Sequence, residues 1–369
     1  MAVAGRDGRW LGGPIGRPAN LGSVTIRAWR VHRYGDPADA LQLDELPEPS
    51  AAPGQVVVRT AATPLNFNEV DGCFGRYRTV DPPLPFTLGM EVVGEVIGVG
   101  EGGDAWLGRR VTTTASGAFG AHAQQVVADA AMTFEAPARL DDIEAAAFFF
   151  PFHVAHLALV ERGHVQPGQT VLVHAGAGGV GSAAVQLAAA LGARVFATAG
   201  SPEKLELCRA LGASLAINYR TDDVVAGVLD ATAGQGVDVV CDLVGGETTV
   251  RTFPCVAHGA RYVLAGFSGG VEAEDQGIVP RPIIFGNFDL CGVLLSYNAR
   301  PDLVKRAAGF NLFSRADGER VQAHLVELLD AGRIRTVVGR TAPWSALPTE
   351  LTRLADRETT GRTVLDWRT

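Results

Sequence analysis

The sequence predicts an α/β chain in which a doubly wound parallel sheet follows a β-rich opening part. Three observations carry that prediction. Beyond Phe150, short apolar strands alternate with helical stretches in the rhythm of βαβ units. The first of those strands runs into a tight glycine turn and then an Ala-rich helix. Ahead of them the chain reads as brief strands punctuated by Pro and Gly clusters.

In chain order, strands are expected at 26–31, 41–43 and 55–60, separated by turn-rich segments such as 47–54. The segment Glu91–Val99 repeats Val and Ile around Gly94 and Gly98, the composition of a tightly bent barrel strand where a side chain would collide. A strand at 170–174, the glycine turn at 176–181, an Ala-rich helix to Leu191 and a strand at 194–198 make one βαβ unit. Helices near 203–211 and 222–231 and strands near 215–218 and at Val237–Asp242 continue the alternation, followed by a short helix at 250–256 and a strand at 261–265. No internal repeat of about 20–50 residues interrupts it.

The chain has 369 residues, and at about 100–200 residues per domain two domains are expected. Hydrophobic residues make up 47% and charged residues 20%, so a large core is available and wholesale disorder is disfavoured. Lys and Arg number 32 against 40 Asp and Glu, and no stretch gathers five or more basic residues, which leaves no footprint for nucleic acid. Cys73, Cys208, Cys241, Cys255 and Cys291 are odd in number, scattered and without a CxxC pair. That pattern argues against a disulfide framework and a thiolate zinc site, and fits a reducing, cytoplasmic compartment. The most apolar run, 145–160, is broken by Pro151 and His153 and falls short of the roughly 20 residues that span a bilayer, so no membrane partner is expected. Residues 1–23 are rich in Gly, Pro and Arg, lack the apolar stretch of a secretory signal, and read as a disordered extension.

Gly176-Ala177-Gly178-Gly179-Val180-Gly181 satisfies GxGxxG between an apolar strand and an Ala-rich helix, the setting in which that spacing cradles a dinucleotide pyrophosphate. The glycines permit a tight turn, close approach of the phosphates, and close packing of helix on strand. An acid near the end of the second strand, about 20 residues on, holds the ribose of NAD. Here Thr198-Ala199-Gly200-Ser201 contains none. The small neutral site removes repulsion against a 2′-phosphate, and Lys204 offers positive charge, so NADPH is the expected cofactor. Lys204 read by itself is equally a solvated surface lysine.

These residues, together with Asn66-Phe67-Asn68-Glu69, the segment from Pro85 to Glu91, Pro167-Gly168-Gln169-Thr170 and Arg357-Glu358-Thr359-Thr360-Gly361-Arg362, resemble the medium-chain dehydrogenase/reductases, in their zinc-free, zeta-crystallin-like quinone oxidoreductase branch. The likeness spans nearly all of 28–365. It implies a Rossmann NADPH-binding domain at 149–298 inserted into a GroES-like β-barrel catalytic domain made from 24–148 and 299–369, with a cleft between them and a homodimer joined through the cofactor domains. By resemblance, Gly200, Ser201, Lys204, Tyr219, Phe267 and Arg357 join Gly176, Gly178, Gly179, Val180 and Gly181 in holding the cofactor.

Zinc-dependent relatives carry Cys-His-x-Asp where this chain has Asn66-Phe67-Asn68-Glu69, and Gly-His-Glu where it has Gly89-Met90-Glu91. Asn and Met are poor ligands for Zn²⁺, so no metal is expected, and Glu91 reads as a charge buried against an arginine or a cap. Reduction of an electron-poor acceptor, a quinone or α,β-unsaturated carbonyl, then suits the site, with donors orienting the rings and stabilising charge on oxygen. Asn66 is the first candidate donor and Tyr77 the second; Tyr77 reads equally as a pocket-lining aromatic, given a phenol pKa of about 10.

Val154, His122 and His156 depart from the family pattern at positions that border the cleft in relatives, and a metal cluster of His122, His153 and His156 is disfavoured because two of them lie on one apolar segment at non-ligand spacing. Phe148-Phe149-Phe150 reads as core at the hinge rather than a stacking platform. Two other readings stand beside quinone or enone reduction. Leu65-Asn66-Phe67-Asn68-Glu69-Val70 also resembles the enoyl reductase domains of polyketide synthases, whereas the segment from Val239 to Gly246 leans toward stand-alone quinone reductases. A non-catalytic NADPH binder of crystallin type uses the same fold.

Overall fold

The computed structural model describes residues 24–77, 79–269 and 277–369, so the extension expected at 1–23 lies outside the described residues. Six parallel strands form one sheet in the spatial order Ala213–Asn218, Arg194–Ala199, Thr170–Val173, Val237–Asp242, Val256–Leu264 and Asp289–Gly292. Counted along the sequence this is 3-2-1-4-5-6, the doubly wound order whose strand reversal falls between Thr170–Val173 and Val237–Asp242.

The inner strands are apolar on both faces because both faces are covered. Val171, Val173, Val195, Ala197, Val239 and Cys241 share one core with Ala183, Ala184 and Leu187 of the helix Gly179–Ala190. Leu172, Phe196, Ile217 and Val240 pack on the other side with Val228 of the helix Val224–Ala231.

Both chain ends contribute to a second, mainly antiparallel sheet. Its central strand, Gln55–Pro64, pairs with Glu91–Val99 and with Arg362–Asp366, and also with Gln125–Asp129. A Cβ on Gly94 would sit 1.9 Å from the Arg59 carbonyl oxygen, so glycine is required where these strands bend. Gly98 carries no such need, since a Cβ there would meet Val57 at an ordinary 3.4 Å.

The apolar run around 145–160 is not broken as its sequence predicts. Helical turns run Asp142–Ala146, Phe149–His156 and Leu157–Arg162, the last a π-helix. Pro151 is the third residue of its helix, where the N–H has no intrahelical acceptor to lose. The span Asp142–Arg162 is long and apolar enough to cross a membrane by length and composition alone, but 78% of its apolar window is buried inside the fold, which accounts for its character as core. Phe148 and Phe149 are fully buried there, and Phe150 borders the cleft described next.

Candidate active site

The strand Thr170–Val173 leads through Ala175, whose φ of 53° is left-handed, into Gly178, which precedes the helix Gly179–Ala190. Close packing dictates glycine at three positions. A Cβ on Gly176 would approach Ala197 to 2.9 Å, one on Gly181 would lie 2.0 Å from the Ala175 carbonyl, and one on Gly179 would strike the Arg362 side chain at 2.4 Å. Gly178 is different: its added Cβ would meet nothing closer than 3.4 Å, leaving its surface open to a ligand. The first-turn N–H groups of the helix lack intrahelical acceptors and stand at its positive end. The C-terminal segment is tied to this turn, because Gly361 N–H donates to the Ala177 carbonyl at 2.8 Å and Gly178 bridges to Gly361.

The turn borders a cleft of about 770 Å³. Gly178, Gly179, Val180, Gly181, Gly200, Ser201, Lys204, Tyr219, Phe267 and Arg357 all line it, and so do Asn66 and Tyr77. Gly176 does not; it sits behind the wall in the packing between strand and helix.

Where the second strand ends, Gly200 lies so close to the Tyr219 hydroxyl and the Arg220 guanidinium that a Cβ would meet them at 2.7 and 3.1 Å. Ser201 caps the helix Pro202–Ala210, its hydroxyl accepting from the Lys204 N–H. Lys204 is half-buried rather than a free surface lysine: its ammonium donates to the Arg357 carbonyl at 2.8 Å. Desolvation first, and then the neighbouring charges of Arg220 and Arg357, hold that ammonium below the usual lysine range. Arg357 has φ 62°, donates to the Ser268 carbonyl, and lies over the Phe67 ring at 4.6 Å. Arg220 is a cleft residue that sequence reading misses, although it directly follows Tyr219.

Asn66, Glu69, Glu91, His122 and Arg362 form a buried polar network beside this cleft. The Asn66 amide nitrogen donates to Glu91 at 2.9 Å and to Glu69 at 3.4 Å, while its oxygen accepts from Arg362 at 2.9 Å. Those partners fix which way the amide points. They also correct the expectation of Asn66 as a donor available to a ligand, since both amide hydrogens face carboxylates. Glu91 forms a salt bridge with Arg362, as one reading of its sequence setting predicts. Burial pushes the Glu91 carboxyl above its ordinary range, against the opposing pull of Arg362 and Asn66.

His122 and His156 do not line the cleft. His122 is enclosed between Thr63 and Glu69, each at 3.0 Å, and His156 meets His324 at 2.9 Å. Val154 does line it, with Phe150, Met90, Met132, Leu294 and Leu295. Tyr77 packs its ring 5.2 Å from that of Phe119. Among the described residues no group of three or more His, Cys, Asp or Glu is disposed to hold a metal ion.

Comparison with known proteins gives this geometry its context. Residues 52–138 match the family described as alcohol dehydrogenase GroES-like domain, and residues 179–309 match that described as zinc-binding dehydrogenase. The synaptic vesicle membrane protein VAT-1 homolog of Rattus norvegicus is 31% identical over 338 residues, covering 89% of this chain and 81% of the relative. Human quinone oxidoreductase is 28% identical over 78% of this chain and 85% of its own length. A phenolphthiocerol/phthiocerol polyketide synthase of Mycobacterium tuberculosis is 37% identical over 62% of this chain, which matches only 10% of that much longer protein. A mycobacterial protein solved in complex with NADPH superposes with a TM-score of 0.80 at 29% identity, covering 92% of this chain and 99% of the other. A parallel six-stranded dinucleotide fold, a GroES-like partner built from both chain ends, and these relatives together mean that the chain belongs to the medium-chain dehydrogenase/reductase superfamily, as a quinone oxidoreductase-like member.

Proposed function

We propose that this protein is an NADPH-dependent reductase that passes hydride to a quinone or an α,β-unsaturated carbonyl without a metal. The observation that carries the reading is one continuous cleft, which joins the glycine turn and the cations Lys204, Arg220 and Arg357 to Asn66, Tyr77 and an apolar wall. The same reading assigns 149–298 to the cofactor domain and 24–148 with 299–369 to the catalytic domain.

The residues present fit NADPH. Gly178 leaves room for a pyrophosphate beside the helix start, and the three cations suit a 2′-phosphate where an acid would repel it. Bound there, NADPH would supply the hydride. Phe150, Val154 and Leu295 exclude water and hold the acceptor plane. Tyr77 is the proposed hydrogen-bonding and proton-donating group toward the acceptor oxygen, and Asn66 is the positioning group that joins Arg362 to Glu91 beside it. The metal-free reading rests on the donor set, since Asn66 and Met90 stand at the family's metal-donor positions.

The exposed edge strand Asp289–Gly292, beside exposed Ile284 and Phe285, supports a homodimer through the cofactor domains. Five free, buried cysteines suit a reducing cytoplasmic setting. The likeness to a polyketide synthase segment favours a second reading, an enoyl-thioester reductase.

The test is NADPH oxidation with a quinone, a short enone and crotonyl thioester, alongside NADPH and NADH binding to Lys204→Ala and Arg220→Ala. Turnover of the quinone or enone is expected, and each variant should weaken NADPH by about tenfold or more while NADH changes little. Turnover of the thioester alone moves the assignment to the second reading. Tight NADPH binding with no turnover of any acceptor makes the chain a crystallin-type binder instead.

A further inference from the structure

Two of the three methionines in the chain fall among the described residues, and both line the cleft. They are held by different elements and neither is loose. Met90 stands just before the strand Glu91–Val99, with its N–H donating to Glu69 at 3.1 Å and its carbonyl accepting from Ala115 at 2.8 Å. Met132 ends the short helical turn Ala130–Met132, and Arg315 grips the carbonyls of Ala130 and Ala131 at 3.3 and 3.2 Å. Its sulfur accepts the Tyr297 N–H at 3.0 Å. The Tyr297 phenol is in turn fixed by His153 at 2.9 Å, whose other ring nitrogen meets Gln322 at 2.8 Å.

Methionine commonly serves as an adaptable filler of irregular gaps. Both side chains are largely buried, Met132 within the main apolar core, and each turns its remaining surface to the open cleft. A thioether is polarisable and attracts the edge or face of an aromatic ring, an attraction an open-chain carbonyl does not share to the same degree. Phe150 and Tyr77 border the same space and offer further flat surface.

We infer that Met90 and Met132 are specificity-determining residues that select a flat, electron-poor ring as the acceptor over an open-chain enone or enoyl thioester. The inference rests on the reductase reading above and narrows it.

Met90→Leu and Met132→Leu keep the side-chain volume and remove the sulfur. Equilibrium dialysis of the NADP⁺-saturated protein would give dissociation constants for 1,4-naphthoquinone and for an open-chain enone, with kcat/KM measured for both. Burial of all five cysteines keeps quinone addition to thiols from imitating binding. Met90→Leu is expected to weaken the naphthoquinone about three- to tenfold relative to the enone, in affinity and in kcat/KM alike. Met132→Leu also removes the acceptor of the Tyr297 N–H, so if it fails to fold, Met90→Leu decides the matter. Equal weakening of both ligands, or no change in either, overturns the inference. Wild-type protein that binds naphthoquinone selectively yet oxidises no NADPH overturns the reductase reading while leaving ring selection by the two sulfurs standing.

Discussion

Arg362 joins parts of the chain that nothing in the linear order connects. Its guanidinium meets Glu91 and Asn66, and its stem lies against Gly179 of the glycine turn. Removing one member of such a buried pair strands the other charge, at a cost of about 3–5 kcal/mol. Arg362→Met is therefore expected to lower the thermal midpoint by roughly 5–10 °C, and adding Glu91→Gln should restore part of the loss. A single variant as stable as wild type would show the pair to be dispensable. Legibility in the sequence divides along the same line. The glycine motif and Lys204 are recognisable because their spacing is local. The partners of Asn66 are not, since Glu91 and Arg362 lie 271 positions apart and no pattern says which arginine a buried glutamate receives. The two histidines expected at the cleft fail for a related reason: position in a motif does not reveal that Glu69 and His324 offer better partners inside.

The helix Phe149–His156 is a wall of the cleft on one side and a buried polar seam on the other. Burial holds the imidazoles of His153 and His156 far down, to about 3 and about 4. The unfolded chain takes up those protons near pH 6.5, so stability is whole above that value and is lost as pH falls toward 4 and then 3. Each unmatched proton contributes about 1.4 kcal/mol per pH unit in that window. The thermal midpoint should fall steadily between pH 6.5 and 4.5, and a flat profile would mean that both rings are solvated. Most strands of the parallel sheet are readable from sequence because two covered faces demand unbroken apolar runs, and the structure shifts their ends: Thr170–Val173 stops one residue short of the expected strand, whereas Val256–Leu264 starts well ahead of it. The edge strand Asp289–Gly292, with only Cys291 buried, lacks such a run and is not foreseen. The short helix expected at 250–256 begins earlier, as Glu247–Thr252, because Asp242 holds the intervening turn through the N–H groups of Val244 and Gly245 and the Thr249 hydroxyl. A carboxylate acting on residues beyond its own strand leaves no periodic trace.

The cleft draws its walls from both ends of the chain and from the sheet between them, so whatever fills it links the two halves. A ligand bound only by the folded protein raises stability by about 2.7 kcal/mol at a hundredfold excess over its dissociation constant. Saturating NADPH should accordingly raise the thermal midpoint by several degrees, more than NADH at equal concentration, and an unmoved midpoint would remove NADPH from the account. The parallel arrangement is foreseeable from the rhythm of strands and glycines and the inserted order of the two halves only through the family resemblance, whereas the depth and lining of the space between them depend on packing at long range. The strand Arg362–Asp366 completes the sheet beside Gln55–Pro64, and its neighbour Gly361 is stitched to the glycine turn. On the ribosome, Gln55–Pro64 therefore emerges some three hundred residues before that mate. Until then the 62–64 end of that strand is without its partner and the turn lacks its clasp, which leaves the cradle unfinished until translation has passed residue 361.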